Sequence, residues 1–207
     1  MTPLLIAFLA VLLMPLFMAS WRTSLLGLSC QGAVMGWIAY RHHHQVSLDT
    51  ALTFVDLIVV RAIAAPLALH RVLRSRNAPS RNDVIPPNML SWTVAIVLVV
   101  FAFQFAGIAI PRESDEQTLV AVSASGLLLG LLVLGTQSGP FSQMVGALRI
   151  ENAIALFELG DASHHEAIGI RLGQTCVLAI SVAMFAWYLR TLKADEPGFT
   201  AEESPAL

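Results

Sequence analysis

Apolar residues fill this chain in long runs, broken by short polar clusters, with neither the two-residue alternation of half-buried strands nor a repeated unit. A lipid bilayer leaves no backbone amide unpaired, so each apolar run near 20 residues reads as a spanning helix. The pattern predicts about seven such helices, near 3–20, 23–40, 49–70, 90–110, 117–136, 140–160 and 165–190. The expected fold is therefore all-α, a polytopic transmembrane helix bundle over residues 1–193. Residues 194–207 form an acidic, proline-containing tail, which we expect to be disordered. No Lys or Arg precedes Arg22, which favours a retained anchor over a cleaved leader. Six spans result if the first run lies in the interface, or if the turn at 137–140 does not separate two helices.

Composition sharpens this picture. Of 207 residues, 56% are hydrophobic and 13% charged, about half the charge of a soluble domain. The formal net charge of −2 is too small to suggest nucleic acid as a partner. Basic residues cluster at Arg22, at Arg71, Arg74, Arg76 and Arg81, and at Arg190 and Lys193. With seven spans these sites share one side, so the cytoplasmic-positive bias predicts an external N-terminus and a cytoplasmic C-terminus in a cell inner membrane. The run Arg41-His42-His43-His44 is the one dissent. Cys30 and Cys176 form no metal-ligand pair and read as small core residues.

Two finer patterns concern packing. Gly32-xxx-Gly36, Gly126-xxx-Gly130 and Gly169-xxx-Gly173 each set two glycines on one helix face, where backbones can approach closely. Pro15 and Pro66 release the carbonyls of Val11 and Ala62 and should bend their helices.

The charges inside spans carry the functional signal, since each costs about 2.5–3.5 kcal/mol at a helix centre on insertion scales. The third span holds Asp56 and Arg61, the sixth Arg149, Glu151 and Glu158, and the seventh opens with Glu166 and Arg171. Glu151 lies midway along its span, with Glu158 two turns further on the same face, about 10 Å away. Asp49, Thr53 and Asp56 line one face of the third span. These charges form either static ion pairs, such as Arg61 with Glu151, or a hydrated relay of carboxylates. Glu158 and Glu166 sit near helix ends. All six histidines, His42, His43, His44, His70, His164 and His165, fall at or beyond helix ends, where haem or quinone ligation finds no support; His164-His165 followed by Glu166 could hold a metal at an interface, though a solvated loop is the simpler reading. We expect no cofactor.

The segment Gln143-Met-Val-Gly-Ala-Leu-Arg-Ile-Glu151-Asn152-Ala resembles the glutamate-bearing helix of the hydrogenase-4 component E family, with its Gly-x-x-x-x-Glu-Asn core at Gly146 to Asn152 after a turn containing Gln137. Glu166-Ala-Ile-Gly169-Ile170 is similar to the Glu-x-x-Gly opening of that family's last helix. Arg61-Ala-Ile-Ala-Ala-Pro66-Leu is similar to its basic-residue-to-proline segment. The likeness covers 49–190 loosely and 137–172 more closely. The family in turn resembles the three-helix K subunit of complex I, which residues 137–190 would match.

The resemblance implies a non-catalytic accessory subunit of a hydrogenase-4 or formate hydrogenlyase type assembly, beside an antiporter-like subunit, contributing to proton or sodium translocation. It carries Glu151 over as the central carboxylate and Glu166 as the second. Arg61 and Arg149 then tune the relay, and Asp56 and Glu158 lie along it. Two departures stand out: Arg61 replaces a lysine, and arginine does not release its proton; and Gly173 stands where some relatives carry an acid. A purely structural scaffold subunit and a small stand-alone transporter are the alternatives.

Overall fold

The computed structural model describes residues 2–13, 20–42, 48–75, 89–110, 114–137, 139–160 and 168–191. Among them the backbone is helical almost throughout, without strands. In chain order the elements are α1 (Thr2–Leu13), α2 (Trp21–His42), α3 (Leu48–Phe54), a π-helical segment (Val55–Ala64), α4 (Ala65–Ser75), α5 (Met89–Ala109), α6 (Asp115–Thr136), α7 (Pro140–Gly160) and α8 (Ile168–Thr191). The pieces α3, π and α4 join end to end as one rod, which makes seven helical rods among the described residues.

Four rods are long and apolar enough to cross a membrane: Thr50–Ser75, Trp92–Ala109, Asp115–Thr136 and Leu172–Thr191. This is a membrane protein by that measure. The others fall outside it for different reasons. The first described rod is a shorter apolar helix. The rods α2 and α7 are long, at 22 and 21 residues, but carry polar side chains. Pro15, the run His43–His44, Arg76, Arg81, His164, His165, Glu166, Lys193 and the tail lie outside the described residues.

Two apolar clusters build the interior, parting toward opposite ends along α2 and α7. The first joins Leu5, Phe8 and Leu12 of α1 to Met35 and Ile38 of α2, Leu57 of the π segment, Val122 and Leu129 of α6, and Leu156 of α7. The second joins Leu25 and Leu28 of α2 to Leu69 and Val72 of α4, Phe141 and Met144 of α7, and Val182 and Leu189 of α8. The start of α2, the end of α4, the start of α7 and the end of α8 thus meet at one end of the bundle. Arg22, Arg71, Arg74 and Arg190 gather there, all exposed. Trp21 closes that end against Phe141, edge to face with ring centres 4.2 Å apart. At the far end of α2, the rings of Trp37 and Tyr40 lie 6.0 Å apart, tilted by 43°.

Glycines set the closest helix contacts. A Cβ on Gly32 would lie 2.7 Å from the Ala62 backbone nitrogen, and one on Gly36 would fall against the Ile58 side chain. Across the α6–α7 seam, a Cβ on Gly126 would stand 2.9 Å from that of Ala153, and one on Gly130 2.6 Å from Ile150 Cγ1. Two of the three glycine pairs therefore seat a neighbouring helix as expected. Gly169 and Gly173 have no neighbour within 4 Å among the described residues, so contact with a partner subunit, the other expectation for such pairs, is left as the one open to them. Ser114 caps α6 by accepting the Gln117 N–H at 3.1 Å, with Asp115 and Glu116 in the first turn, where the helix dipole favours anions.

Pro66 lies two residues beyond the π segment, and the expected distortion around Ala62 takes this form. Proline removes one ladder hydrogen bond and crowds the carbonyl four residues back. Widening the helix to i→i+5 bonding gives the freed groups other partners, and the Ala65 N–H donates to the Val60 carbonyl.

Candidate functional site: a buried polar layer and an outward carboxylate

Between the two apolar clusters lies a polar layer. On α2, Gln31 falls between Leu28 of one cluster and Met35 of the other. On α7, Arg149 and Asn152 fall between Leu148 and Ala155 in the same way. Arg61 enters from the π segment. All four are buried, with Gln31 at 0% exposure and Arg149 at 2%.

A chain of bonds runs through this layer. Arg61 Nε donates to Asp56 Oδ2 at 2.8 Å, an ion pair whose side chains are 6% and 13% exposed. Arg61 Nη1 donates to Asn152 Oδ1 at 3.3 Å, and Asn152 Nδ2 donates to Gln31 Oε1 at 3.1 Å. The third span, α7 and α2 are thereby tied at one level. Buried charge survives only when paired and hydrogen-bonded, and Arg61 meets that condition within its own chain. The pair forms inside the third span, with Asp56, and not across to Glu151. Asp56 Oδ1 and Gln31 Nε2 are buried and lack a hydrogen-bond partner among the described residues.

Glu151 faces the other way. It precedes Asn152 by one residue, which on an α-helix turns it about 100° around the axis, and it is exposed on the outside of the bundle near the midpoint of α7. Gln143, Ile154, Phe157 and Glu158 share that outward stripe. Glu158 is exposed and accepts a hydrogen bond from Gln174 Nε2 of α8 at 3.2 Å.

The six expected site residues thus separate. Asp56 and Arg61 come together inside, and Arg149 is buried in the same layer. Glu151 and Glu158 line an outer face, and Glu166 lies outside the described residues. Gln31 was not singled out in the sequence, and Asn152 only as part of the Glu-Asn core, because an uncharged amide in an apolar run does not stand out as a charge does. The cysteines depart from expectation too: Cys30 and Cys176 are both exposed rather than packed in the core. Among the described residues, no group of three His, Cys, Asp or Glu side chains is placed to hold a metal ion.

No family model, no curated protein and no solved structure matches the chain.

Proposed function

We propose that the chain is an accessory membrane subunit of a larger, complex-I-like assembly of the hydrogenase-4 or formate hydrogenlyase type, and that Glu151 is its contribution to proton or sodium translocation beside an antiporter-like partner. One observation carries this reading. A carboxylate stands exposed halfway along α7, a helix that lies along spanning α6 through their glycine seam. Lipid solvates such a group poorly, at a cost of several kcal/mol. A protein partner or a hydrated path at that face removes the cost.

In this reading α2 and α7 cross the membrane as well. The aromatic residues at the two ends of α2, Trp21 and Trp37–Tyr40, are separated by about 25 Å of helix, close to the hydrocarbon thickness. The arginine-rich end lies in the cytoplasm, which sets the N-terminus outside. Glu151 takes up and releases a proton at the subunit boundary. Asp56, Arg61 and Arg149 act from the layer behind it as fixed charges, and Glu158 and Glu166 extend the acidic face. Electron transfer belongs to other chains.

A second reading has one observation of its own. The Asp56–Arg61–Asn152–Gln31 chain ties three helices together inside the bundle, as a scaffold subunit would have it. Purification from native membranes in mild detergent, with mass spectrometry of what accompanies the chain, tests both against a stand-alone transporter. Recovery with an antiporter-like subunit and a hydrogenase-like arm supports the subunit readings. Recovery alone, as a stable homo-oligomer, overturns them. In the assembled complex, Glu151→Gln should lower ion translocation while leaving assembly intact; a scaffold would lose assembly instead.

A further inference from the structure

The π segment of the third span is ten residues long, where most π structure is a single turn and under 1% of residues adopt it. It is also the segment that holds the buried ion pair. Asp56 and Arg61 are five residues apart, and that spacing decides the matter. In a π-helix the i→i+5 bonding stacks such residues one above the other. In an α-helix each residue turns about 100°, so residues five apart point about 140° away from each other. The 2.8 Å contact of Arg61 Nε with Asp56 Oδ2 is therefore compatible with the π form and not with the α form.

The surroundings fit a segment with two registers. Both flanks, α3 and α4, are ordinary α-helix, so the surplus turn is bounded. The neighbouring surface of α2 carries Gly32 and Gly36, which lie close against Ala62 and Ile58. Arg61 is the element's link to α7, through Asn152. Asp56 Oδ2 is the one acceptor that ties Arg61 back to the start of the segment, Oδ1 having no partner among the described residues.

We propose that Val55–Ala64 is a register switch, a stored π segment latched by the Asp56–Arg61 pair, which converts to α-helix when that pair is broken, turning one half of the third span against the other and drawing Arg61 away from Asn152. The device belongs to this chain by itself and does not depend on the ion-translocation reading above.

The test uses the full chain in lipid nanodiscs with Cys30→Ser and Cys176→Ser, and spin labels at two exposed positions, Leu67 of α4 and Leu131 of α6. The parent should give one label–label distance. Asp56→Asn, which keeps the shape and removes the charge, should add a second population displaced by on the order of 5 Å, the radius of a helix with its side chains. Arg61→Gln removes the same latch from its other side and should do likewise, so a folding failure in one variant leaves the other to decide. Deleting Val59, exposed in the middle of the segment, brings Asp56 and Arg61 to α-helical i, i+4 spacing. That variant should give a single distance, and adding Asp56→Asn should not split it. A single parental distance in both Asp56→Asn and Arg61→Gln overturns the switch.

Discussion

Asn152 and Glu151 are neighbours in sequence and opposites in setting. Asn152 is buried, accepting from Arg61 and donating to Gln31. Glu151 is exposed at mid-helix. The inner region is bonded within one chain: Arg61 meets Asp56, and the amide bridges three helices. In the proposed reading the outer region is completed by a partner, which would solvate the carboxylate that the chain leaves exposed. The difference teaches that the polar residues of a membrane helix divide by what solvates them. Inner groups hold the bundle together, and outer ones mark where it meets its surroundings.

Breaking the inner region should have the largest effect. Arg61→Ala leaves Asp56 as an uncompensated buried charge and should cost about 3–5 kcal/mol, read as a fall in thermal unfolding temperature in detergent. The double variant Asp56→Asn/Arg61→Gln should recover much of that loss, since no net charge remains buried. Asn152→Ala leaves Arg61 Nη1 and the Gln31 side chain without their partner and should cost about 1–3 kcal/mol.

The glycine faces give the same comparison in a second form. Gly32→Val drives a side chain into the Ala62 backbone, which cannot yield as a flexible side chain would, and should cost about 1–3 kcal/mol by overpacking. Gly173→Val projects into open space and should leave the isolated chain's stability unchanged in the same melt. If the two variants lose equal stability, the distinction between filled and open faces is wrong. The smallest expected effect on the isolated chain is that of Glu151→Gln, with no measurable change in unfolding temperature.

Much of this was legible in the sequence, and the physics of the rest explains why it was not. Seven helical rods follow from seven apolar runs, and two of three glycine pairs pack as their spacing suggests. The inward or outward sense of α7 was hidden. In water an apolar stripe marks the core, but in lipid outward Ile154 and Phe157 are as apolar as inward Leu148 and Leu156, so hydrophobicity does not tell the faces apart. The π segment left two signals whose meaning emerges only together: a proline at position 66, and opposite charges at an interval of five that no α-helix face accommodates. Gln31 and Asn152 belong to a layer defined by its neighbours in three dimensions, not by their own polarity.

The central claim is that the outward face of α7 meets another protein at Glu151. Site-specific photo-cross-linking in native membranes addresses it directly, with the reactive residue at position 151 and a control at Ile96, exposed on α5. The account predicts a discrete adduct with a second polypeptide from position 151 and lipid adducts alone from position 96. Lipid adducts alone from both positions would contradict it.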